Sequence, residues 1–322
     1  MRFIVCFSWC VLLPAVAMAQ ADLLLMLNPN PNTDRFIFDA RSTYQGESDD
    51  DVTGDDFELL EENLSFRYGA ILEEDRELYV TVDATAIQLD TSAIFDESGA
   101  PMLDDLYNVG IGAVYRQTVH EDWRVGGQLR IGSASDKPFN SLDEMYLQGL
   151  AFLQIPHLEY TSWIMALAVN THLEIPVFPA IGYSFPVSRQ ALAVVGLPFF
   201  GAAGKFTDEF GFRFIYWPVR NLDISLDYQI TDWARPYTGF RWRGRYFARA
   251  DRADDDERIR LEDMQAFVGT VFDVTENVAL DARAGYVFGR QVGEGDGFED
   301  QRDNNFRVDD TWFISARLGL RF

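Results

Sequence analysis

Arg241, Arg243 and Arg245 stand two residues apart, Arg249 follows four later, and an earlier segment carries Asp223 and Asp227. Residues two apart project from one face of an extended strand, so this pattern sets a row of guanidinium groups against a row of carboxylates. Opposed rows of charge facing water create a transverse field that discriminates among small ions and polar solutes. The same rows can instead neutralise each other and brace a wall. Catalysis finds little support. The only histidines are His120, His157 and His172, and no serine, aspartate and histidine set can be assembled from their spacing.

Acidic residues cluster from Glu47 to Glu62, Asp251 to Glu257 and Glu294 to Asp310, within a net charge of -24. That charge excludes a phosphate-binding surface and any ordinary nucleic-acid role. Such clusters are first of all solvated loops. They can also take up divalent cations and, through them, bridge to lipopolysaccharide or other polyanions. The run Asp49-Asp50-Asp51-Val52-Thr53-Gly54-Asp55-Asp56 suggests a calcium loop only superficially, because it lacks the spacing and flanking helices of an EF-hand. No cofactor is expected.

The elements that carry these residues are strands with one dry face. At the C-terminus Trp312, Ile314, Ala316, Leu318, Leu320 and Phe322 alternate with Ser315, Arg317, Gly319 and Arg321. The same period of two recurs at Leu64 to Leu72, Leu78 to Ala86, Tyr107 to Tyr115, Trp123 to Ile131, Leu222 to Ile230, Phe240 to Ala248, Met264 to Phe272 and Val278 to Phe288. Ile259 and Leu261 are out of phase with Met264, which predicts a bulge near Glu262. A soluble sandwich would alternate too. Aromatic residues near strand ends, such as Tyr107, Trp123, Trp217, Tyr286 and Trp312, instead match the girdles of a membrane barrel.

The front of the chain agrees. Met1-Arg2, the apolar stretch Phe3 to Leu13, Pro14 and Ala17-Met18-Ala19 form a signal peptide over 1–19. Both cysteines, Cys6 and Cys10, fall inside it, so the mature chain has no thiol or disulfide chemistry. Residues 20–33, with Leu23 to Leu27 and Asn28-Pro29-Asn30-Pro31-Asn32, form a linker or plug segment, and 34–322 form the barrel. After the signal no apolar stretch reaches the length of a membrane helix. Working back from a periplasmic Phe322, Gly289 to Asp310 is an outer loop, Asp273 to Asn277 a periplasmic turn and Asp251 to Glu257 outer again. Strand parity is unresolved around Trp217 to Asn221 and Asp232 to Pro236, and prolines interrupt Ile155 to Phe200. The expectation is an all-β, transmembrane, up-and-down antiparallel barrel of 12–14 strands.

By this pattern the chain resembles the bacterial outer-membrane β-barrel proteins of uncharacterised porin-like type. The resemblance implies a location in the outer membrane, among lipid and lipopolysaccharide, and insertion by the barrel-assembly machinery. That machinery reads a terminal apolar-x-aromatic signal, matched here by Leu320 and Phe322, with Arg317 where such signals often carry glycine. The leading expectation is a passive pore for small hydrophilic solutes lined by Arg241, Arg243, Arg245, Arg249, Asp223 and Asp227, and not an enzyme. Two alternatives remain: a structural or adhesive surface barrel whose acidic loops bind ions or envelope polymers, and a transporter of apolar substrates with an N-terminal plug.

Overall fold

The computed structural model describes residues 34–322 apart from 96, 173–175, 218–220, 253, 255 and 298–299. The signal peptide over 1–19 and the linker or plug segment over 20–33 therefore lie outside the described residues.

Seventeen strands follow in order: β1 (Phe36–Gln45), β2 (Phe57–Leu72), β3 (Arg76–Thr91), β4 (Asp105–Thr118), β5 (Arg124–Ser135), β6 (Met145–Pro156), β7 (Ser162–Asn170), β8 (Val177–Ser188) and β9 (Ala191–Leu197), then β10 (Phe200–Lys205), β11 (Phe210–Trp217), β12 (Asn221–Tyr228), β13 (Ala234–Phe247), β14 (Arg258–Thr275), β15 (Val278–Gly295), β16 (Asn305–Val308) and β17 (Thr311–Arg321). Each pairs antiparallel with its sequence neighbour, except that β17 joins β15 directly and β16 adds only to the upper end of β15. β17 also pairs with β1, from Ile37 opposite Arg321 to Gln45 opposite Phe313. The sheet is thus closed, with sixteen wall strands and no free edge, which is the only way strands satisfy their backbone groups in a bilayer.

The barrel and its up-and-down order are those expected, but the wall has sixteen strands rather than twelve to fourteen. The difference lies where prolines obscured the pattern. Pro179 and Pro186 are inside β8, opposite Leu167 and Leu192, with a register shift just past Pro186. β9 to β12 have only 7, 6, 8 and 8 residues. The parity problem resolves in the same place. β11 ends at Trp217 and β12 begins at Asn221 on the outer side, and 229–233 connect β12 to β13 on the periplasmic side, so not every outer connection is long.

The wall is therefore uneven. β2 and β3 have 16 residues and β14 and β15 have 18, so they rise well beyond the short sector. Along these tall strands the polarity of the two faces inverts. Lower on β2, Leu64 and Phe66 face out at 52% and 40% exposure while Asn63 and Ser65 are buried inside. Higher up, Phe57 and Leu59 are the buried inner residues and the outward positions are Glu58, Leu60 and Glu62. β3 inverts between Val82, outside, and Ile87 and Leu89, inside. A strand whose outer face is apolar below and charged above has left the membrane.

The same inversion accounts for Ile259 and Leu261. On β14 the register with β13 runs unbroken from Leu261 opposite Arg245 to Asp263 opposite Arg243, so both face inward. The expected irregularity is present, but on the neighbouring strand: Gly289 and Arg290 of β15 face the single residue Asp263. Gly289 takes φ +59, which a glycine adopts without strain.

Candidate functional site

Above the membrane the tall strands close over an apolar core. Phe57, Leu59, Ile87, Phe247, Leu261 and Phe306 belong to one buried cluster drawn from opposite walls. Phe306 of β16 packs on Phe57 and Phe95, with ring centroids 6.3 and 5.4 Å apart. Past the end of β13, the Ala248 N–H donates to the carbonyl of Ala134 at 2.7 Å. The result is a sandwich-like head with a buried apolar core.

Beneath the head lies a four-charge cluster. Arg243 donates through Nη2 to Glu61 at 2.9 Å and through Nε to Asp263 at 3.1 Å. Arg245 engages the same two carboxylates at 2.7 and 3.0 Å. Asn63 donates to Glu61 at 3.1 Å and Thr85 to Asn63 at 2.8 Å, which extends the network to β3. Glu61 on β2 and Arg243 on β13 are five places apart round the wall, so these bonds run across the lumen and not along the sheet.

Other inward ion pairs line the wall. Arg241 reaches Asp223 at 2.8 Å, Arg41 reaches Asp281 at 3.1 Å, and Arg317 pairs with Asp39. Arg130 pairs with Asp83, donates to Asn108 at 2.8 Å, and lies 4.9 Å from the Tyr146 ring centroid. Most of these groups are buried. Ions out of water persist only when paired and hydrogen-bonded.

The residues singled out in the sequence fall in three places. Arg241, Arg243 and Arg245 face inward on β13, and Asp223 and Asp227 face inward on β12, with Asp223 opposite Arg241. Asp227 fits because Gly211 lies across from it; a Cβ on that glycine would come within 2.5 Å of the carboxylate. Arg249 is beyond β13, in the outer connections, where it donates to Glu294 at 2.7 Å and to the Pro101 carbonyl at 3.0 Å. Leu320 faces outward on β17, and Phe322 beyond its end is 61% exposed. In the first acidic loop the Asp50 carboxylate accepts from the N–H groups of Val52, Thr53 and Asp55, so it caps a turn. Glu61 as the shared partner of two arginines was not foreseen. Its only signal was position, an inward glutamate two residues below Leu59.

Behind the short sector the lumen differs. The inner residues Arg213, Ile215, Asp223, Ser225 and Asp227 of β11 and β12 are half-buried. Above them Phe199 turns inward between β9 and β10 and stacks on Trp217 at 5.6 Å, within an apolar cluster that includes Leu150, Phe152, Ile164 and Val194.

The closed wall, the apolar belt and the polar interior are those of a bacterial outer-membrane β-barrel. No family model matches the chain, and no curated protein matches it in sequence. Among solved structures it is similar to an outer membrane channel from Pseudomonas putida F1, at 11% identity, covering 91% of this chain and 97% of that one with a TM-score of 0.42. It is similar to the P. putida toluene transporter TodX at 10% identity, 92% coverage of each chain and a TM-score of 0.40. The β domain of the Bordetella autotransporter BrkA matches at 9% identity, covering 90% of this chain and 100% of that one with a TM-score of 0.36.

Proposed function

We propose that this barrel passes small hydrophilic solutes by a restricted route behind its short sector and is not an open diffusion pore. One observation carries the reading: the Ala134–Ala248 bond joins opposite walls and closes the tall side, leaving β11 and β12 as the least covered polar inner surface. Asp223, Asp227, Arg213 and Ser225 then line the route, while Arg243 and Arg245 hold the seal beside it.

Planar-bilayer recording of the refolded protein tests this. Small resolvable steps are expected, with an ion preference altered by Asp227→Lys. Steps of open-porin size would defeat the reading. An absence of both current and solute flux, unchanged in Asp227→Lys, would leave the sealed structural barrel with acidic outer loops.

An apolar cargo is the second reading, favoured by the cluster of Phe199, Trp217, Phe152 and Ile164 in the upper lumen. It requires quenching of Trp217 fluorescence by an apolar probe that enters the refolded barrel, and loss of that quenching in Trp217→Leu.

A further inference from the structure

Among the described residues around Phe267, one buried arginine is left without a hydrogen-bonded carboxylate once the ion pairs are assigned. Arg41, Arg241, Arg283 and Arg317 face Asp39, Asp223 and Asp281, and three pairs account for six of the seven: Arg241 with Asp223, Arg317 with Asp39 and Arg41 with Asp281. Asp281 is further engaged by the Tyr237 hydroxyl at 2.6 Å. Arg283 is the remainder. It is only 6% exposed, and among the described residues no carboxylate, carbonyl or hydroxyl accepts a hydrogen bond from it. Its guanidinium carbon instead lies 5.0 Å from the Phe267 ring centroid and 5.6 Å from that of Phe313.

Ring faces attract a cation but do not neutralise it. Burial and repulsion from Arg41 and Arg241 act on Arg283 more strongly than its attraction to Tyr237 and Asp281, and the Arg241 guanidinium carbon lies 5.9 Å from the same Phe267 centroid. The Nε of Arg283, the Nε and Nη1 of Arg41 and the Nη1 of Arg241 are all buried without an acceptor. A folded chain rarely keeps an uncompensated buried cation together with several orphaned donors, because each carries its full desolvation penalty.

We propose that Arg283, with the free N–H groups of Arg41 and Arg241, binds one small singly charged oxyanion, a carboxylate, in the floor of the lumen. The guanidinium fork matches a carboxylate in two parallel hydrogen bonds. One negative charge gives Arg283 the hydrogen-bonded partner it lacks, and Phe267 and Phe313 offer an apolar wall to the rest of the ligand. The half-buried face of β12 beside Asp223 and Arg241 gives access. The inference does not rest on conduction, because these acceptorless donors are present whether or not the barrel conducts.

The test uses the refolded full barrel and sodium acetate against sodium chloride at equal ionic strength, reading the urea midpoint of unfolding. A saturable rise with acetate alone is expected. Arg283→Met should raise the midpoint without acetate, because it removes an unpaired charge, and should weaken acetate binding about 30-fold or more. An arginine that merely braced the wall would lower the midpoint when replaced. Ser315→Asp, opposite Arg283 in register, should supply a resident counter-charge and abolish the acetate response even if Arg283→Met does not fold. No saturable response in the unmodified protein, an unchanged response in both variants, or equal saturation by phosphate dianion would overturn the proposal.

Discussion

The N–H of Ala248 reaches the carbonyl of Ala134 at 2.7 Å from the far side of the barrel: β5 and β13 are eight places apart round a wall of sixteen, in either direction. A side chain need not bridge a lumen whose walls already touch, which is why both positions are alanine and both are buried. Ala248→Pro removes the donor and should loosen the head by about 1–3 kcal/mol, the cost of leaving a buried carbonyl unpaired. The expected readout is new protease cleavage between 248 and 258 in a barrel that still shows heat-modifiable migration. Resistance equal to that of the unmodified protein would mean that the head does not hang on this bond.

Arg243 and Arg245 share Glu61 and Asp263, so the four charges act as one unit. Arg243→Met leaves two buried carboxylates to one arginine and should cost about 3–5 kcal/mol. Adding Glu61→Gln should recover part of that loss, because it removes the stranded charge. A double-mutant cycle on the urea midpoint measures the coupling, and additive effects would show that these contacts are energetically idle.

The inversion of polarity along β3 predicts a sharp dependence on height for one and the same face. Val82→Arg places a charge on the lipid belt and should cost about 2–4 kcal/mol, whereas Gln88→Arg, six residues up on that face, should cost about 0–1 kcal/mol. Folding free energies in lipid vesicles decide it. Equal costs would mean that the membrane reaches the head and that Glu58, Glu62 and Asp90 lie in hydrocarbon.

This inversion also explains what the sequence could and could not disclose. The period of two survives any environment, so the strands around Leu64, Leu226 and Ile314 were legible and the closed barrel followed from them. Which face meets lipid is not written in the period. Ile259 and Leu261 therefore predicted a bulge near Glu262, whereas β14 keeps its register with β13 and the extra residue stands on β15 opposite Asp263. Prolines hid the strands from 155 to 200 because a missing ladder donor resembles a strand end, yet Pro179 stays within the register of β8. The arginine row was visible, but its partners were not. Glu61 lies 182 residues from Arg243 in sequence, and only closure of the wall brings them together.

His172, in the turn after β7, packs edge-on against the Tyr146 ring at 4.8 Å. Burial pushes its imidazole down to about 3, with repulsion from Arg258, Arg252 and Arg130 adding to the effect. In the unfolded chain the same group protonates near the usual 6.5. Between those values the unfolded state takes up the proton and the folded state does not, so stability falls as pH drops from 6.5 towards 3 and is insensitive to this group above 7. His172→Gln should therefore flatten the acid limb of a plot of urea midpoint against pH while leaving the limb above pH 7 parallel to that of the unmodified protein. Many carboxylates titrate in the same window, so the informative quantity is the difference between the two curves. A difference that stayed constant from pH 7 to pH 4 would show that His172 is free to protonate in the folded barrel.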